Sequence, residues 1–335
     1  MAKRSSAKRK IRKKARKVVL WLTLLVLAAV IGLVACDYFG VIDLPRGEKE
    51  TETETETGTA AVPSGAENGE EPPEEISVHV IDVGQGDAIL IMTESGNMLI
   101  DSGDLGNTPR QLLTKYLDAH NVTSFEYAVF THTDADHIGS ADYIVTNYEV
   151  KNVIMPDYAA TTKVYNRLIE AIEKKEVNLI LIGEDTEFCE QSGYTFTLGP
   201  ITNTVMGPTK DFKDANEMSV VIKSVYGETS MLFTGDAEHK SEEAMLEKYA
   251  KGELDCDILK VGHHGSSTST TDEFLGAVSP EVALISCGDG NKYGHPNSET
   301  TDKLEAAKIK YYRTDLCGSI VITTDGVTYS VTTEK

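Results

Sequence analysis

Cysteine is scarce and poorly spaced for structural use: five in 335 residues, none in a C-x-x-C pair. That excludes a disulfide scaffold and a cysteine-built zinc site, so any metal falls to His, Asp or Glu. Cys189, Cys256, Cys287 and Cys317 are expected as buried thiols rather than disulfides. Positive charge is also short. Against 53 Asp and Glu stand 32 Lys and Arg, a net charge of −21, which excludes a protein that coats nucleic acid through a broad basic surface. A dinucleotide fingerprint is missing as well: Gly84-x-Gly86 lacks the third glycine and the helix that should follow, so no nucleotide cofactor is expected. The 40% apolar content nevertheless supports one or two packed domains and excludes wholesale disorder.

What charge there is lies unevenly. Residues 1–17 hold ten bases and no acid. Residues 18–36 carry no charge, and their 19 positions, at about 1.5 Å each, reach roughly 28 Å, one hydrocarbon core. A basic flank stays inside, so the leader is read as cytoplasmic and everything after residue 36 as extracytoplasmic. Leu33-Val34-Ala35-Cys36 resembles the lipobox of bacterial lipoproteins; a single-pass anchor in the bacterial cell membrane and a lipoprotein signal both remain open. Residues 37–75 contain twelve acids, two bases and the repeat TETETETGTA. Such a stretch cannot bury a core and reads as a disordered acidic linker.

Residues 76–335 read as one α/β unit. Apolar or alternating runs predict strands at 77–83, 88–92, 97–100, 127–130, 152–155, 219–225, 230–233, 257–261, 282–286 and 319–323. Apolar positions three or four apart predict helices at 109–119, 162–175, 241–249 and 298–308. Strands with helices dispersed among them imply stacked sheets covered by helices.

The chemistry gathers at the ends of these strands. After the run 127–130 comes Thr131-His132-Thr133-Asp134-Ala135-Asp136-His137-Ile138-Gly139, four metal-ligand types within six residues. Ligands so spaced on a loop leaving a rigid strand converge on two cations a few ångströms apart. Asp236 ends another apolar run, and His263 with His264 ends a third, in the segment Lys260-Val261-Gly262-His263-His264-Gly265-Ser266.

On these residues the chain resembles the metallo-β-lactamase superfamily, which implies an αββα sandwich with a two-metal edge. Asp101 matches the first motif, and H-x-D-x-D-H at residues 132–137 matches H-x-H-x-D-H with Asp134 replacing a histidine. Asp236 matches the bridging carboxylate, and His263 or His264 the last histidine. No histidine lies between His137 and His239, so the third-motif histidine is absent; Asn216 falls near its place. Asp82-Val83-Gly84-Gln85-Gly86-Asp87-Ala88, the Asp134 variant, His263-His264-Gly265-Ser266 and Tyr293-Gly294-His295-Pro296-Asn297 look like the extracytoplasmic domain of ComEC-type competence DNA-uptake proteins.

The resemblance implies His132 and Asp134 on one metal, Asp136, His137 and His263 or His264 on the other, and Asp236 between them. Two divalent ions are expected, Zn²⁺ or Mn²⁺, the extra carboxylate favouring Mn²⁺. Hydrolysis by a metal-activated water follows, with Asp136 and His295 as the candidate catalytic positions and His295 as proton donor or oxyanion partner. Asp101, Asp87 and Asn216 are expected to orient ligands. Lys260, Ser266, Ser267 and Thr268 are the expected phosphate contacts. The implied activity is a membrane-tethered phosphodiesterase or nuclease acting on DNA. Two rivals remain: a hydrolase of a phosphorylated or ester-bearing envelope component, suggested by the net −21 on residues 76–335, and a non-catalytic metal-binding module, suggested by the missing histidine. The sequence identifies no protein partner.

Overall fold

The computed structural model describes residues 74–335. The basic leader, the apolar run and nearly all of the acidic linker lie outside the described residues. Among the described residues no helix is long and apolar enough to cross a membrane.

Fifteen strands form two sheets. The first contains β1 (Ile76–Val80), β2 (Ile89–Thr93), β3 (Gly96–Ile100), β4 (Ser124–Val129), β5 (Glu149–Pro156), β6 (Asn178–Ile182), β14 (Ile320–Thr324) and β15 (Tyr329–Thr333), in the order β15-β14-β1-β2-β3-β4-β5-β6. The second contains β7 (Thr195–Leu198), β8 (Ile201–Gly207), β9 (Val221–Tyr226), β10 (Thr229–Phe233), β11 (Ile258–Lys260), β12 (Val282–Ile285) and β13 (Lys310–Arg313), running from β13 to β7.

Period-two alternation assigns the faces. Ile89, Ile91, Met98 and Ile100 from one sheet share a core with Met231, Phe233, Val282 and Leu284 from the other. Their sequence neighbours Leu90 and Leu99 point outward to helices α1 (Asn107–Ala119), α2 (Ala135–Ile138), α3 (Ala141–Asn147) and α4 (Lys163–Lys175). On the second sheet Leu232, Leu259, Ala283 and Ile285 pack against α5 (His239–Lys248), α6 (Asp272–Val278) and α7 (Ser298–Ala306). The layer order is therefore αββα. In α4 the local rules are visible: Thr162 caps the N-terminus by accepting from Tyr165 N–H, and Val164, Leu168, Ala171 and Ile172 make one buried stripe. A short α8 (Thr314–Cys317) precedes β14.

Each sheet is parallel over four neighbouring strands, β3 to β6 and β10 to β13. Loops leaving the carboxyl ends of such strands are free of the ladder and meet at one edge, the usual place for a site in α/β proteins. Asp101 follows β3, His132 to His137 follow β4, Asp236 follows β10, and His263 and His264 follow β11. Cys256 and Cys287 are buried thiols, and burial first of all pushes each up to about 12, so neither is poised as a nucleophile.

Two glycines let the edge loops pack this closely. A Cβ on Gly86, whose φ is +111°, would meet Asp136 O at 2.2 Å. Gly139 has an ordinary helical φ of −60°, so space alone demands glycine there: a Cβ would lie 2.2 Å from Asp104 C and 2.3 Å from Leu105 N. The Gly139 N–H donates to Gly103 O at 3.0 Å, pinning the ligand loop to the loop after β3. Gly139→Ala should therefore cost at least about 3 kcal/mol, the upper end for overpacking because backbone must move. A urea unfolding curve within about 1 kcal/mol of the parent's would refute this reading of the contact.

Candidate metal centre

Six side chains from three loops converge at this edge. His137 Nε2 lies 3.2 Å from His264 Nε2 and 3.2 Å from Asp236 Oδ1. His264 Nε2 lies 3.5 Å from both Asp136 Oδ2 and Asp236 Oδ2. His132 Nε2 and His263 Nε2 approach that same Asp236 Oδ2 at 3.9 and 3.6 Å.

The far ring nitrogens explain why these atoms face each other. His137 Nδ1 donates to Asp101 Oδ2 at 2.7 Å, and His264 Nδ1 donates to the Ser286 carbonyl at 2.9 Å. With Nδ1 carrying the proton in the neutral ring, both Nε2 atoms present lone pairs to one another and to carboxylate oxygens. Lone pairs crowded at this spacing repel unless a cation or proton lies between them. A tetrahedral ion held at about 2.1 Å sets neighbouring ligand atoms about 3.4 Å apart, close to the observed 3.2–3.5 Å. His132 Nε2 and Asp236 Oδ1 are moreover buried without a well-aligned hydrogen bond. The residues present thus fit a divalent metal.

Asp101 holds the ligand loop. It accepts from Thr131 N–H at 2.8 Å, from the Thr131 hydroxyl at 2.6 Å and from His137, and it does so from a left-handed backbone, φ 59°. Asp134 immediately precedes α2 and stands exposed at the pocket, while Asp136 sits in that helix's first turn. A cavity of about 130 Å³ opens here, lined by Gln85, Asp134, Asp136, Asn216, Asp236, His263, His264, Tyr293 and His295.

Electrostatics prepares the anions. Burial works against charge on Asp87, Asp136 and Asp236, but their cationic and hydrogen-bonding neighbours outweigh it: Asp136 is lowered to about 2, Asp236 well below the usual carboxylate range, and Asp87 below it too. Burial likewise opposes charge on His264 and His137, yet the surrounding carboxylates raise His264 to about 10 and His137 well above its ordinary value. His132 behaves oppositely, lowered to about 3 by burial and by His137. Asp134 is raised by burial and by Asp136 beside it.

Of the expected site residues, the structure brings His132, Asp136, His137, Asp236 and His264 together, with Asp134, Asn216, His263 and His295 on the pocket wall. His263 and His264 are separated clearly: His264 is buried in the cluster, whereas His263 turns its Nδ1 to Glu238 Oε1 at 3.0 Å. The expectation for Lys260 is corrected. It is 1% exposed, with Nζ 2.9 Å from Asp87 Oδ2 and 3.0 Å from the Val261 carbonyl, so it reaches no substrate phosphate. It shares the inward face of β11 with Ile258, two residues earlier, and ties the second sheet to the loop after β1. Asp87 stands between Lys260 and His264, whose Nδ1 is 3.3 Å from Asp87 Oδ1. Ser266 is buried against Thr268, Ser267 is tied by its N–H to Asn297 Oδ1 at 2.8 Å, and Thr268 donates to Glu238 at 3.0 Å; none of the three lines the cavity. Glu238, Thr131, Ser286 and Tyr293 went unanticipated. Glu238 lies two residues after Asp236 and Tyr293 two before His295, but an isolated Glu or Tyr at such a place carries no metal-ligand spacing.

A family model described as the metallo-beta-lactamase superfamily matches residues 81–289. The chain belongs to this superfamily. Within it, the chain is 28% identical over 263 residues to ComE operon protein 3 of Bacillus subtilis, covering 73% of this chain and 33% of that protein. It is 32% identical over 251 residues to Competence protein ComA of Neisseria gonorrhoeae, covering 74% and 32%. Recombination protein 2 of Haemophilus influenzae is 30% identical over 246 residues, covering 72% and 28%. The chain thus spans about a third of the length of these curated relatives. Both the superfamily and the likeness to competence proteins agree with the motif residues.

For this metallo-beta-lactamase fold, the buried pair gives a direct test. Lys260→Met leaves Asp87 uncompensated and should cost about 3–5 kcal/mol in urea unfolding. Adding Asp87→Asn to it should recover most of that loss; a double variant no more stable than the single would show that the pair is not what Lys260 contributes.

Proposed function

We propose that this chain is a metal-dependent phosphodiesterase that cuts DNA on the outer side of a bacterial membrane, to which residues 18–36 tether it. The observation that carries the reading is the set of ligand atoms spaced 3.2–3.5 Å apart beside an open cavity. DNA as substrate is supported by relatives whose names specify competence and recombination.

The charge balance supports two ions. With the histidines neutral, as metal ligands are, Asp87, Asp101, Asp134, Asp136 and Asp236 set five carboxylates against the Lys260 ammonium and leave four negative charges, which two divalent cations would neutralise. Asp136, His137, His264 and Asp236 would hold one ion, and His132, Asp134 and Asp236 the other; Zn²⁺ and Mn²⁺ both suit the oxygen-rich set. Bound there, the ions supply Lewis acidity toward a phosphoryl oxygen and acidify water.

The chain's own residues do the rest. Asp101 and Asp87 fix the rings of His137 and His264, so that orientation is set before substrate arrives. His295 faces His263 and His264 across the cavity, with ring centroids 5.4 and 6.3 Å away. Burial first, then those two imidazoles, lower it to about 4 against the opposing pull of Asp236 and Asp136. It is therefore neutral at pH 7 and acts as a hydrogen-bond donor to charge developing on the phosphoryl or leaving oxygen. Its Nδ1 is buried without a hydrogen-bond partner.

A second reading has one specific support: 41 acids against 20 bases on residues 76–335 repel a long polyanion and favour a small phosphorylated or ester-bearing envelope component. The purified chain, assayed with Mn²⁺ and with Zn²⁺ against single-stranded DNA and a chromogenic phosphodiester, separates the readings. Cleavage of both is expected, and Asp136→Ala should reduce it at least about 100-fold, since even partners of metal ligands are worth about 10–100-fold. Bound metal without cleavage of either substrate would end the nuclease reading. Metal addition should also raise the melting temperature, because ions that bind only the folded chain stabilise it by mass action. A melt unchanged by millimolar Mn²⁺ or Zn²⁺ would count against the two-ion site.

A further inference from the structure

We propose that His263 is a ligand of the first metal position, standing in for the absent third-motif histidine. The inference rests on the two-ion reading above and says which residue completes it. His264 already belongs to the cluster with Asp136 and His137. His263, its neighbour, would point the opposite way in a strand. Instead both residues are left-handed, φ 47° and ψ 48° for His263, φ 55° and ψ 23° for His264, which turns both rings toward Asp236. Two such residues in succession are strained conformations for side chains with a Cβ, and a surface histidine has no use for them.

The far side of His263 is built as metal-binding histidines usually are. Glu238 Oε1 accepts from His263 Nδ1 at 3.0 Å, from Thr268 Oγ1 at 3.0 Å and from Asn216 Nδ2 at 3.3 Å. A carboxylate that accepts from Nδ1 leaves Nε2 of the neutral ring with its lone pair outward. That Nε2 faces Asp236 Oδ2 at 3.6 Å, the oxygen that His132 Nε2 approaches at 3.9 Å from the other sheet. Two imidazole nitrogens thus approach one carboxylate oxygen, and His132 Nε2 is buried there with no hydrogen-bond partner. Asn216 supplies the last link. Where the family has a histidine, its amide instead supports the carboxylate that holds His263, so the ligand lost at one position is provided at another.

The test counts ions on the full chain, stripped with chelator and titrated with Mn²⁺ or Zn²⁺, by elemental analysis and titration calorimetry. Two equivalents are expected for the parent. His263→Asn, chosen because Asn tolerates the left-handed backbone, should bind one. Adding Asn216→His to that variant should restore the second, a rescue that a merely structural role for His263 would not produce. Glu238→Gln, a check that keeps the ring in place, should weaken one equivalent about 10–100-fold and leave the other. His263→Asn retaining two equivalents at parental affinity, or a parent that takes only one, overturns the inference. Because the readout is stoichiometry, a chain that binds two ions and cleaves no DNA would remove the nuclease reading and leave this one standing.

Discussion

Mutual repulsion among buried electron-rich atoms is the constraint on which this molecule turns. Asp87, Asp101, Asp236, His132, His137 and His264 are all withdrawn from water within one small region, where unpaired charge is most costly. No flexible loop would hold such an arrangement against its own repulsion. Here each group is anchored at a strand end, and each strand is locked into a sheet whose two faces are buried. Lys260, itself unable to reach solvent, offsets one charge from behind.

The apolar core between the sheets owes nothing to the site. Ile89, Ile100, Phe233 and Leu284 interdigitate over a layer from which the ligands are absent, so packing energy from the sandwich supports a rim that is electrostatically unfavourable by itself. Three of the eight non-glycine residues with left-handed backbones among the described residues, Asp101, His263 and His264, stand at that rim. Local conflict of this kind, held in place by the packed sandwich behind it, is how a stable scaffold carries a reactive centre.

Much of this was legible in the sequence. All ten expected strands and four expected helices exist, their ends shifted by a few residues, because period-two and helical patterns report burial directly. The missed strands are mostly the weakly patterned edges. Thr-rich β7 and β8 are interrupted by Gly199-Pro200, and β15, with the sequence YSVTT, buries none of its residues fully. The ligand loop was legible because its density of His and Asp has no structural use. The choice between His263 and His264 was not, since it depends on backbone dihedrals at two adjacent positions. Lys260 was misread by chemistry when alternation held the answer: two residues after Ile258 on β11, it shares the inward face. Glu238 left no trace because its importance comes from what it touches.

The paired left-handed turn at His263 and His264 has a consequence of its own. Two imidazoles joined through a single peptide bond form a bidentate arm, and if each serves a different ion, the spacing of the ions is set by covalent geometry rather than by packing. Neither ring can withdraw without dragging the other. The distance between the two positions is therefore written into the chain itself, before either ion arrives.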